Sequence, residues 1–389
     1  MSLWDKGLAQ LPAYDNVCAD IRAGRTPVSV IGTAHIHKAL LAAGLKQSLG
    51  RRIVLLASDE AEAARLTEDV RAFGLRTLQL PARELSLRLV ESASREYEQM
   101  RLGTFAAMAE GNYDCVVACV DAAIQYTIPP DTLLGRTLEL TAGVRLPVDD
   151  LPTALAAAGY ERCDQIEGAG QFAVRGGIID VYPADSEAPI RVELWGDTVD
   201  TIAYFDLLSQ RRTDSLSSVG IPPAAEVMYD DPAALAAKLE ALAAAQRGKL
   251  ADTVKKNLLS DVDRLRGGVQ PASVDRYIPL MYEPANLFTY ARDALILVSE
   301  PAKVKERVRT YHWQLNQDIE AMLEEGTLCR GLTAYAPAWE EIALHLERAS
   351  TVLLDAFARA TGDYNVLIFP QTGELRCFTY IFPVYREEN

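Results

Sequence analysis

Three runs of this chain are apolar without alternation, the second after an opening aspartate: Ile53-Val54-Leu55-Leu56-Ala57, Asp114-Cys115-Val116-Val117-Ala118-Cys119-Val120 and Ala294-Leu295-Ile296-Leu297-Val298. A strand with one wet face alternates apolar and polar residues, so runs with no polar face belong to strands covered on both sides. Val28-Ser29-Val30-Ile31-Gly32 reads as an earlier strand. Ala39 to Leu49 reads as a helix, 59–73 as a charged amphipathic helix, and Thr77-Leu78-Gln79-Leu80 as a strand stopped by Pro81. This alternation implies a parallel sheet layered by helices. Sheets of that kind bind ligands at the carboxyl ends of their strands, which directs attention to the first strand-to-helix turn.

A second kind of strand follows. In Ile190-Arg191-Val192-Glu193-Leu194-Trp195, period two puts Ile190, Val192 and Leu194 on one face and Arg191, Glu193 and Trp195 on the other. The pattern leaves two readings open. The polar face is either a solvated strand face with a half-covered indole, or a binding surface built from Arg and Trp, the residue types that dominate interface energies.

The stretch FAVRGGIIDVYPADSEAPIRVELWGDTVDTIAYFDLLSQRR, residues 172–212, carries R-G-x-I-x-D-x-[YF]-P, S-E-x-P-x-R-x-E, G-D-x-[VI]-D-x-I and [YF]-F-D-x-x-[ST]-Q-R in linked order. It resembles the second domain shared by the excinuclease subunit UvrB and the bacterial transcription-repair coupling factors, with SQRR leaning toward the latter. The resemblance extends more weakly over about residues 10–330. In that family this domain docks the damage-recognition ATPase UvrA. The resemblance puts the UvrA-contacting positions at Arg175, Arg191 and Trp195, the last replacing a common Phe, and the face shared with them adds Glu193. Arg175 precedes Gly176-Gly177, which is expected to form a bulge.

UvrB-like proteins carry a phosphate-binding G-x-x-x-x-G-K-[ST] loop after their first strand. Here the corresponding turn is Gly32-Thr33-Ala34-His35-Ile36-His37-Lys38-Ala39. Gly32 and Lys38 remain. His37 replaces the glycine that lets backbone amides close around phosphate, and Ala39 replaces the hydroxyl that ligates magnesium. The Walker B aspartate expected beside Glu300 is Ser299. The resemblance therefore implies an α/β fold: a degenerate P-loop, helicase-like parallel-sheet domain with an inserted, smaller α+β domain that docks UvrA. It implies no catalytic residue, no cofactor and no metal in this chain, although the whole protein would be an ATP-dependent DNA translocase that displaces stalled RNA polymerase. The rival reading is a UvrB-like DNA-dependent ATPase of nucleotide excision repair.

The expected organisation is residues 1–127 as the first part of the α/β domain and 128–222 as the insert, bracketed by Pro129-Pro130 and Pro222-Pro223. Residues 223–330 form the second part, and 331–389 a linker or the start of another small domain. Residues 81–100 read as mostly helical, and 94–108 as one helix whose Arg95, Glu98 and Arg101 face solvent. Asn365–Phe369 reads as a strand. The net charge of −15, from 39 basic and 54 acidic residues, argues against a chain whose main task is gripping nucleic acid. Seven carboxylates among the four arginines of 171–212 suit a protein partner. RNA polymerase contact is expected only through domains that nothing in this sequence resembles. No apolar run approaches the roughly 18 residues of a membrane span. Six scattered cysteines read as reduced thiols of a cytoplasmic protein.

Overall fold

The structure is a computed structural model that describes residues 8, 11–85, 87, 95–147, 149–229, 231–271, 273–356 and 378–381. The chain begins with α1 (Pro12–Arg22), β1 (Val28–Ile31), α2 (His35–Leu49), β2 (Ile53–Ala57), α3 (Glu60–Ala72), β3 (Thr77–Leu80), α4 (Glu96–Glu110) and β4 (Cys115–Cys119). Asp59 caps α3 by accepting from the Glu62 amide, and Gly50 and Gly111 end α2 and α4 in the left-handed conformation. Every residue of β2 and β4 is buried, which is why those runs lack a polar face.

The insert comprises β5 (Leu138–Thr141), α5 (Asp150–Ala157), β6 (Glu161–Arg162), β7 (Gln171–Arg175), β8 (Ile178–Val181), β9 (Ile190–Trp195), β10 (Thr198–Phe205), β11 (Arg212–Leu216) and β12 (Ser218–Ile221). Its main sheet has the order β11-β10-β9-β8-β7-β6, antiparallel except for β6 against β7, and β12 pairs with β5. Ile190, Val192, Ile179, Val181 and Ile202 fill its core with Leu151 and Leu155 of α5.

The chain continues with α6 (Pro232–Ala245), α7 (Ala251–Arg266), β13 (Leu295–Ser299), α8 (Pro301–Glu325), α9 (Trp339–Arg348), β14 (Thr351–Asp355) and β15 (Phe378–Ile381). The large sheet is parallel throughout, in the order β15-β1-β14-β13-β2-β4-β3. β13 thus joins the first part's sheet, around the insert. Within 331–389 the described strand β14 belongs to the large sheet and not to a linker: it is buried at every position and lies between β1 and β13. The 223–330 region also builds its own helical core, in which Leu235, Leu239, Leu258, Val262, Tyr277 and Met322 pack together. The expected strand at Asn365–Phe369 lies outside the described residues.

Helix α4 is the seat of the insert, and it corrects the expectation for Arg101 and Glu98, whereas Arg95, just before it, is exposed as expected. Arg101 is fully buried, donating to Glu226 at 2.7 Å and to the Pro81 carbonyl at 2.9 Å. Glu98 accepts from the Glu226 amide, Arg95 donates to the Ala224 carbonyl, and Gly103 lies where any Cβ would strike the Ala184 carbonyl. Glu226 itself is fully buried. Burial pushes its carboxyl up, but the charges of Arg101 and Arg83 and the hydrogen bonds of Arg101 and Thr127 bring it below its ordinary value. Residues 81–85 are not helical.

Candidate functional site

Two clusters of charge correspond to the two sequence-predicted sites, and they differ in what they present to solvent. The first lies on the face of the insert's sheet opposite its core. Register places Ala173, Asp180, Arg191 and Ala203 in one cross-strand row, and Arg175, Ile178, Glu193 and Thr201 in the next. The two-residue turn Gly176-Gly177 sets the β7–β8 part of this register. It is a tight hairpin and not the expected bulge, with Gly176 at φ +63° and Arg175 paired to Ile178. Bulges occur instead within β10.

Asp180 is the centre of this face, and no sequence reading singled it out. Its side chain is almost wholly buried and accepts from both arginines. Arg191 donates from Nε to Oδ1 at 2.7 Å and from Nη2 to Oδ2 at 2.9 Å, and Arg175 donates from Nη2 to Oδ2 at 2.7 Å. The missed signal was parity within the β7–β8 hairpin: with the turn at Gly176-Gly177, Asp180 lies diagonal to Arg175, while its place directly opposite Arg191 comes from the separate β8–β9 pairing. The Arg191 guanidinium also lies 4.3 Å from the Phe205 ring centroid and donates to Gln210. Its side chain is only 14% exposed, so Arg191 shares Trp195's face but not its exposure. The Asp180 hydrogen bonds raise its pKa further and fix the positive charge.

Arg175 keeps half of its side chain in solvent. Glu193 is held by Arg212 in an ion pair and accepts from Thr201 Oγ1 at 3.3 Å. Trp195, at the turn into β10, is 83% exposed. An uncovered indole beside a half-exposed guanidinium anchored to a buried carboxylate can supply apolar area and a charge-assisted hydrogen bond to one partner group.

The second cluster lies at the carboxyl ends of β1 and β13. Gly32 turns the chain at φ +85° into α2. His37 folds back to accept from the Ala34 amide at its helix start, and Ala39 is fully buried. Lys38 points inward and is 2% exposed. Its ammonium donates to Ser299 Oγ and to Glu300 Oε1, each at 2.8 Å, and lies 3.7 Å from Glu62 Oε1. Ser299 Oγ in turn donates to Glu62 Oε1 at 2.6 Å, and Glu300 also accepts from the Ala356 amide. Burial pushes the Glu62 carboxyl up, but the hydrogen bonds from Ser299 and Ser58 and the charge of Lys38 bring it below its ordinary value. One ammonium thus lies between two carboxylates. Among the described residues no group of His, Cys, Asp and Glu is arranged to hold a metal ion.

The insert has a counterpart among known proteins. Residues 138–227 match the UvrB interaction domain. The flanking α/β sheet shares the likeness, because the chain is 29% identical to the transcription-repair-coupling factor of Bacillus subtilis (strain 168) over 81% of its own length and 28% of that protein's. It is 29% identical to that of Myxococcus xanthus over 72% of its length, and 27% identical to that of Escherichia coli (strain K12) over 67%. The resemblance to the UvrB-like region of the transcription-repair coupling factors therefore covers about four-fifths of the chain. The chain spans 22–28% of the length of these relatives. The UvrB interaction domain contains the whole Arg175–Asp180–Arg191 cluster and Trp195. No helix of the described residues is long and apolar enough to cross a membrane.

Proposed function

We propose that this chain is the non-catalytic module through which a transcription-repair coupling factor recruits UvrA to stalled transcription, and that the UvrB interaction domain is the docking element. The observation that carries this reading is the Trp195 indole, uncovered at the end of β9 on the sheet face that holds Arg175 and Arg191, in the domain that matches that family. An exposed Trp beside an anchored Arg is the composition of an interface hot spot. ATP-driven translocation on DNA and contact with RNA polymerase are proposed for the whole protein and not for this chain. Its setting is proposed to be the cytoplasm.

The rival, a UvrB-like DNA-dependent ATPase, is disfavoured by Lys38. A catalytic P-loop lysine reaches the β- and γ-phosphates. Lys38 is engaged by Glu300, with Glu62 beside it, so a polyphosphate would have to displace one carboxylate and lie against another. The test measures ATP turnover with and without duplex DNA alongside calorimetric binding of the cognate UvrA. UvrA binding without turnover is expected. Turnover on the order of 1 s⁻¹, or tight, steeply salt-dependent DNA binding with no UvrA binding, would favour the rival.

A further inference from the structure

We infer that Asp180 is the positioning residue of the docking face, and that Gln210 completes its hold on Arg191. This inference rests on the docking reading above. Asp180 is almost wholly buried, yet it receives three hydrogen bonds from the two arginines. Arg191 is closed off on its other edge by Gln210, whose main-chain and side-chain oxygens accept at 3.2 and 3.1 Å. Gln210 is held at φ +58°, in the left-handed region uncommon outside glycine. It stays there with its side-chain Nε2 donating to the Leu207 carbonyl and its main-chain amide to the Asp206 carbonyl. The connection between β10 and β11 is therefore shaped around the Arg191 guanidinium.

The consequence falls on Arg175. One of its N–H groups goes to Asp180, and the half-exposed remainder is what a partner carboxylate can meet. A free arginine side chain loses rotamer freedom on binding, whereas one already fixed by a buried carboxylate loses less. Asp180 also cancels one of the two positive charges. Charge attraction and positioning therefore make opposite predictions for Asp180→Asn. Attraction to an acidic partner alone would make that variant associate faster and bind more tightly. Positioning makes it dissociate faster, whatever its association rate.

The experiment measures association and dissociation of cognate UvrA with the full chain, Asp180→Asn, Arg175→Ala and the double variant, with melting temperatures recorded for each. Asp180→Asn is expected to dissociate about tenfold faster while associating at least as fast. Adding Arg175→Ala to it should cost little more, because both changes remove one contact. Unchanged dissociation of folded Asp180→Asn, or full additivity of the two changes, overturns the inference. Failure of the unaltered chain to bind UvrA overturns the docking reading instead. Should Asp180→Asn not fold, Gln210→Gly decides. Glycine suits the left-handed backbone and keeps the main-chain acceptor, so melting should hold while dissociation rises about threefold; an unchanged rate overturns the inference.

Discussion

The two charge clusters of this chain are made of the same parts and do opposite things with them. In the α/β domain, Lys38 lies between Glu300 and Glu62, and its ammonium is consumed by the protein. In the UvrB interaction domain, Asp180 lies between Arg191 and Arg175, and one guanidinium is left half in water. The first cluster has one cation and two carboxylates, the second two cations and one carboxylate. If the turn at residues 32–39 is the relic of a phosphate-binding loop, as proposed, the lysine it keeps is neutralised from within. The proposed docking face keeps its excess charge and an uncovered ring. Residue type does not separate the two clusters; the balance of charge and the direction in which it is exposed do.

The largest effect that tests this contrast is at Lys38. If its charge is structural, Lys38→Met leaves Glu300 and Glu62 without their cation and should cost about 3–5 kcal/mol, read as a fall in the urea midpoint at pH 7. The loss should shrink in acid. Glu62, held below its ordinary value in the unaltered protein, contributes stability above the unfolded carboxyl value and loses it as pH falls through the depressed one. Below about pH 4 both proteins carry the group increasingly protonated, and the gap between them narrows. If Lys38 were instead a vacant phosphate ligand, the variant would be close to neutral in stability at every pH, and the comparison would break.

Much of the large sheet was legible because its strands announce double burial: β2, β4 and β13 are apolar at nearly every position. What was not legible depended on distant pairings. Thr351-Val352-Leu353-Leu354 reads as a strand, but its place between β1 and β13 is set by partners more than fifty residues to one side and more than three hundred to the other. Arg101 has the polar label of a solvated helix face. Only the return of the chain at Glu226, 125 residues on, makes it a buried ion pair. On β9 the alternation of faces was readable, whereas the grip on Arg191 was not. That grip requires the β8–β9 register and a left-handed Gln210, which period two alone does not encode.

Trp195 gives the next effect. Trp195→Ala should weaken UvrA binding by about 2 kcal/mol or more, roughly thirtyfold, and shift stability by less than about 0.5 kcal/mol. Its neighbour Arg191 should behave differently. Arg191→Ala leaves Asp180 buried with Arg175 alone, so it should lower the melting temperature as well as binding. Equal melting of the two variants in thermal scans would mean that the Asp180 clamp contributes nothing to the fold.

Glu193 marks the low end of the scale and sharpens the boundary of the docking face. It shares the polar face with Trp195, two residues away, but it is engaged by Arg212 and Thr201, and Arg212 is itself partly exposed. Exposed ion pairs of this kind contribute about 0.2–1 kcal/mol, so Glu193→Gln should barely move the melting temperature. Removing one carboxylate makes the face more positive, and a charge at the rim acts on encounter more than on residence. With a partner that presents acids, association should quicken modestly at low salt, dissociation should stay as it was, and the difference should fade as ionic strength rises. A large increase in the dissociation rate would show that Glu193 is desolvated by UvrA. The docking face would then extend across β9 and β10 toward Arg212, and would no longer be confined to Arg175, Arg191 and Trp195.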